Sequence, residues 1–155
     1  MTVSEIIVKM IHYSKGNLHD INHFMKVYAF AKTIGECEKL DKNTQEKLEV
    51  AAVLHDIACP LCREKYGNTN GKYQEKEGEI LTAEFLKDTG CTDEFINRII
   101  FLVGHHHTIE NIDGMDYQIL LEADYIVNAY EENYSKENIN NAIDKFFKTE
   151  TGISL

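Results

Sequence analysis

Tryptophan is absent and proline occurs once in 155 residues, so almost nothing forbids long helices, and Pro60 is the single place where a clean helix cannot run on. Positive charge is scarce: 16 Lys and Arg stand against 26 Asp and Glu, a formal net charge of −10. Such a chain has no basic patch to neutralise phosphates along a duplex, which excludes stable nucleic-acid binding. No apolar run approaches the roughly 20 residues that span a bilayer, so no membrane partner is expected. Met1–Ile11 lacks the basic start and long apolar core of a signal peptide. With four cysteines and no leader, a reducing, cytoplasmic setting is expected. Cys59-Pro60-Leu61-Cys62 has no second CxxC for a structural zinc and no βαβ pattern for a thioredoxin-like role.

Strand-length alternation, internal repeats and a linker are missing too, whereas helical periodicity is present throughout. Thr2–Lys15 carries Ile6, Ile7, Met10 and Ile11 at helical spacing and stops at Gly16. Leu18–Leu40 reads as a long helix through Ile21, Phe24, Met25 and Tyr28, with His23 in its early turns. Asn43 or Thr44 is placed to cap a helix running into His55. Cys59–Gly71, with its proline, glycines and asparagines, reads as a loop. Gln74–Thr89, Glu94–Val103, Tyr117–Tyr130 (capped by Asp116) and Lys136–Lys148 complete the helices. One all-α domain over residues 1–155 follows, with 43% apolar residues enough for a core without staples.

Against this background the stretch Val50–Ala58, VAAVLHDIA, stands out. An apolar helix ends in adjacent His55 and Asp56, whose side chains diverge by about 100° around the axis, so each can serve a different partner. Buried carboxylates and imidazoles are costly unless paired or bound to a cation. His23, His55, Asp56 and Asp124 each interrupt a helix that otherwise reads as core. Alone, each is a hydrogen-bonded core residue or a cap; together they point to one shared site.

The order His23, then His55–Asp56, then Asp124 resembles the HD-domain superfamily of metal-dependent phosphohydrolases. HFMKVYAFA (23–31) looks like that family's first-histidine helix, AAVLHDIA (51–58) like its namesake doublet, EGEILTAEFL (77–86) like its glycine-bearing helix and LLEADYIVNA (120–129) like its terminal aspartate helix. The resemblance covers most of the chain. It implies a compact helical domain of the HD type with a metal held by His23, His55, Asp56 and Asp124. Mixed nitrogen and oxygen ligands suit a divalent transition metal, Mn, Fe, Co, Ni or Zn. It further implies hydrolysis of a small phosphate ester, a nucleotide or nucleotide-derived signal, by metal-activated water that Asp56 helps to orient.

One departure bears on metal count. Dinuclear members carry a histidine about four residues before the helix glycine, where this chain has Gln74 before Gly78, so one ion per chain is expected. Glu75 or Glu77 is the substitute ligand if a second ion binds. The run His105-His106-His107 supplies the further histidine: His106 lies nearest the family's functional position, His105 next and His107 third, in an acid–base role. A solvated loop is the plain alternative.

Candidate substrate contacts are Arg63 and Lys72, which flank the loop after the doublet, Lys26, three residues beyond His23, and Asn128, one turn beyond Asp124. Ordinary surface charge explains the cations equally simply, and Asn128 could instead brace a ligand. His19 is one turn before His23 and forms a possible chelating pair with it. Two other function classes are a non-catalytic metal- or nucleotide-binding module and an HD-type di-iron oxygenase; the intact ligand set weighs against the first and Gln74 against the second.

Overall fold

Seven short polar side chains, Thr2, Asn17, Asp41, Asn70, Thr92, Ser135 and Thr149, each accept a backbone N–H from the first turn of a helix that starts one residue later. Satisfying a donor that the helix itself leaves orphaned is what fixes these start points. The computed structural model describes residues 1–155 and contains helices without strands: α1 Val3–Tyr13, α2 Leu18–Cys37, α3 Lys42–Leu54, α4 Cys59–Tyr66, α5 Gly71–Leu86, α6 Asp93–Val103, α7 Met115–Glu131, α8 Lys136–Lys145 and α9 Glu150–Ser154. No helix is long and apolar enough to cross a membrane.

The loop expected over Cys59–Gly71 is mostly helix. Pro60 sits in the first turn of α4, where its missing N–H would have no partner anyway, so it starts a helix instead of ending one. Gly67, at φ +74°, closes α4, leaving only a short link to α5. Asp41, not Asn43 or Thr44, caps α3. Asp116 does not cap α7; it lies in the first turn and forms a paired contact with Arg98 of α6, at 2.6 and 2.9 Å, while Arg98 also grips Asp113. That clamp ties the far end of the segment after the histidine run back to α6.

Helices α2, α3 and α7 pack on one another and form the centre. Every residue of α3 from Leu48 to Leu54 is buried, as is nearly all of α7 from Asp116 to Val127. Helix α5 crosses α6 at Gly78, where a Cβ would meet Val103 Cγ1 at 2.9 Å. The crossing therefore needs glycine, and it brings the α6 C-terminus and the histidines after it against α5.

The C-terminal segment is held by one carboxylate. Glu122, wholly buried on α7, accepts from Gln118 Nε2 at 2.6 Å, Thr149 Oγ1 at 2.6 Å, and the backbone N–H groups of Lys148 and Thr149 at 3.0 and 3.2 Å. Four donors justify burial of one charge. Glu122→Gln replaces an acceptor oxygen with an N–H group facing donors, and should lower stability by about 1–3 kcal/mol. Urea unfolding followed by circular dichroism checks this; an unchanged midpoint would refute the assignment.

Candidate metal centre

His23 comes from α2, His55 and Asp56 from the end of α3 and the turn beyond, and Asp124 from α7, so the three packed helices each contribute to one point. His23 Nε2 lies 3.2 Å from His55 Nε2, 3.2 Å from Asp56 Oδ2 and 3.3 Å from Asp124 Oδ1. His55 Nε2 lies 3.4 Å from Asp56 Oδ2 and 3.3 Å from Asp124 Oδ1. His55 is fully buried, and His23 and Asp124 are nearly so.

The outward nitrogens decide which atoms face inward. His55 Nδ1 donates to the carbonyl of Ala52 at 2.7 Å and His23 Nδ1 to Glu131 Oε1 at 2.8 Å. Because those partners only accept, a neutral ring carries its proton on Nδ1 and turns a lone pair inward at Nε2. Four acceptors then converge with no donor among them. In the absence of a cation, protons fill the role: burial pushes His23 down, yet contacts to Asp124 and Asp56 outweigh it and raise it to about 10. His55 rises likewise despite complete burial, and its charge holds Asp56 and Asp124 well below the usual carboxylate range.

The donor set fits a transition metal. Ligands about 2.1 Å from one ion stand about 3.0 Å apart at right angles and about 3.4 Å apart at the tetrahedral angle, a range that brackets the observed separations. The two imidazoles set it apart from the oxygen-only cages favoured by Mg or Ca. His23, His55 and Asp56 thus form a His/Asp cluster able to hold a metal ion, Asp124 Oδ1 stands 3.3 Å from the Nε2 of both histidines, and Glu131 and the Ala52 carbonyl orient the two rings.

A second group lies beside it. Asp56, His106 and His107 offer ligand atoms all within 4.8 Å of one another. Asp56 turns Oδ2 to the first cluster and Oδ1 towards His106 Nε2, at 3.5 Å. Gln74 Oε1 stands 3.2 Å from His106 Nε2 and 2.8 Å from His107 Nε2, so the residue that departs from the family pattern still faces this group. The expectation of a single ion was drawn from Gln74 alone; the side chains place a second donor set next to the first. His106 is buried and anchored by Nδ1 donating to the Val103 carbonyl at 2.6 Å. His107, though exposed at its surface, is pushed down to about 4, first by the desolvating side chains packed around its ring and then by neighbouring His106.

Other expectations are corrected by position. His105 points away: its Nδ1 donates to the Phe101 carbonyl at 2.7 Å and its ring stacks on Phe101, so it lines no part of the site. Lys72 is exposed in the first turn of α5 and borders neither cavity described below. Arg63 does reach the site's edge, but both of its terminal nitrogens are taken by Asp20, at 2.6 and 3.0 Å. Lys26 is largely exposed and lies 3.5 Å from Glu131, on the far side of His23. Asn128 donates to Asp124 Oδ1 at 3.2 Å, the bracing geometry. His19 is exposed beside Asp20 and outside the ligand cluster. Glu75 accepts from the His107 N–H and Thr108 Oγ1 and so fastens the histidine segment, while Glu77 pairs with Lys65. The cysteines are free, and burial pushes the Cys59 thiol up.

Glu131 was missed by sequence reasoning. The signal was available: Asp124, Asn128 and Glu131 lie four and then three residues apart, along one face of α7.

A helical domain whose central helices bring two histidines and two aspartates to one point is the class that fold and site define. The HD domain model matches residues 20–145, and the chain belongs to that family. A predicted HD superfamily hydrolase from an uncultured Thermotogales bacterium has a similar structure, with a TM-score of 0.69 and 24% identity, covering 97% of this chain and 80% of that one. Among curated proteins no match is found.

Two outcomes follow from the geometry. Glu131→Ala frees the His23 ring and should weaken metal affinity about 10–100-fold without unfolding the protein, as measured by competition with a chelating dye. Because His23 and His55 hold protons that an ion must displace, binding should release protons at neutral pH and tighten as pH rises towards about 10. Calorimetric titration in buffers of different ionisation enthalpy reads the release; no buffer dependence would overturn it.

Proposed function

We propose that this HD domain is a metal-dependent phosphohydrolase that cleaves a small phosphate ester, with a nucleotide or nucleotide-derived signal as substrate. The observation that carries the reading is the shared carboxylate Asp56, one oxygen in the metal cluster and the other facing buried His106. A divalent ion bound there supplies Lewis-acid chemistry, acidifying water and polarising a phosphoryl oxygen. The chain's own residues do the rest. Asp56 and Asp124 would hold that ion together with His23 and His55, and Asn128 keeps the Asp124 carboxylate from rotating. With Nδ1 committed to a carbonyl, His106 can hold or pass a proton only at Nε2, the atom aimed at Asp56 and Gln74. That geometry supports a role in protonating a leaving oxygen or stabilising developing charge. A cavity of about 500 Å³ opens beside Asp124 and His106, in the size range of small-molecule sites. The nucleotide assignment is supported by the resemblance and by this volume, not by any group that reads a base.

The second reading, an HD-type di-iron oxygenase, draws on the group formed by Asp56, His106 and His107. Elemental analysis separates them: two irons per chain without phosphate release would establish the oxygenase. Metal bound with no turnover would favour a binding module.

For the hydrolase, phosphate release from a nucleotide panel with Mn, Co, Ni, Zn or Mg is the direct assay. Asp56→Ala should lose both metal and turnover. His106→Asn should keep the metal and lose about 10²–10⁴-fold in rate. Full activity in His106→Asn would remove the acid–base role.

A further inference from the structure

Two cavities meet at the metal cluster and share Asp124, Asn128 and His107 as a dividing edge. The smaller, about 180 Å³, is walled by Asp20, Glu131 and Glu132 in addition to the ligands, and its one guanidinium, Arg63, is already paired with Asp20. Beyond the His/Asp cluster, its walls offer an anion no unpaired lysine or arginine. The larger, about 500 Å³, lies between α7 and α8 and contains one acid, Asp124. Its α8 wall is Asn138, Asn141, Ala142 and Lys145, at helical positions i, i+3, i+4 and i+7, which puts them along one face. Asn138 is held by the Tyr125 hydroxyl, which donates to its side-chain oxygen and leaves its amide N–H groups free. Asn141 and Lys145 have no side-chain partner within the chain, and Lys145 is the only cation on the lining. Lys145, Asn138 and Asn141 are solvent-exposed, so the ammonium stands on the open rim of a cavity whose lining holds one acid, in a protein of net charge −10.

Resting on the phosphohydrolase reading, we infer that the α7–α8 cavity receives the leaving group and that Lys145 recognises a second anionic group on it. The substrate class is then a phosphate ester carrying another phosphate or carboxylate remote from the bond that breaks. Asn138 and Asn141 supply hydrogen bonds to the polar body between the two anions.

The test uses non-cleavable probes on the Mn-loaded protein: alkyl phosphonates of increasing chain length, each compared with the bisphosphonate of the same chain by calorimetric titration. At a matching length the bisphosphonate should bind about tenfold tighter, and Lys145→Gln should reduce that advantage to about twofold or less. Lys136→Gln, on the same helix but outside the cavity, should retain it. No advantage at any length, or an advantage that survives in Lys145→Gln, overturns the inference. Phosphate release from a nucleoside monophosphate and its bisphosphate is measured in parallel. A Lys145-dependent bisphosphonate preference without turnover would sink the hydrolase reading and leave the dianion site standing, whereas turnover without the preference would do the reverse.

Discussion

Four hydrogen-bond acceptors meeting inside a protein repel one another unless something positive stands between them, and the centre of this fold is arranged around that demand. His23, His55, Asp56 and Asp124 come from α2, α3 and α7, the helices that pack most closely, so the charge problem and the hydrophobic core occupy the same place. The histidines cannot escape by turning, since Glu131 and the Ala52 carbonyl hold their other nitrogens. Nor can the carboxylates simply take up protons, because positive charge on His55 and His23 holds them low. The cluster therefore binds positive charge at any neutral pH. A divalent ion and a pair of imidazolium protons are competing solutions to the same electrostatic requirement.

Helix order was legible because it rests on local rules. The 3.6-residue periodicity and the turn at Gly16 read directly, the caps of α3 and α7 did not, and the His/Asp cluster was visible as polar interruptions of apolar faces. Errors arose where a rule depended on position. Pro60 signals a break in a helix interior and a start in a first turn, and only the location of α4 distinguishes the two. His105, His106 and His107 are equivalent as letters; which of them turns inward depends on how α6 ends against α5, a tertiary fact set at Gly78 and Val103. Arg63, Lys26 and Lys72 looked alike as free cations. Asp20 and Glu131, distant in sequence, take up the first two and leave the third in solvent.

Lys145 shows the converse. Its surroundings in sequence, ENINNAIDKFF, advertise nothing, and it lies on the last turn of an exposed helix. It borders the cavity beside Asp124 because the end of α8 is held near α7 by Glu122, which anchors Lys148 and Thr149 immediately beyond α8. A buried carboxylate far from the His/Asp cluster in role thus helps to position one wall of that cavity.

Asp56 links the two halves of the site. One oxygen faces the metal cluster and the other faces His106, so a single rigid carboxylate connects the place where positive charge gathers with the place where a proton can be held. Turning that carboxylate towards one side takes it from the other, so the positions of the two groups are set together through Asp56.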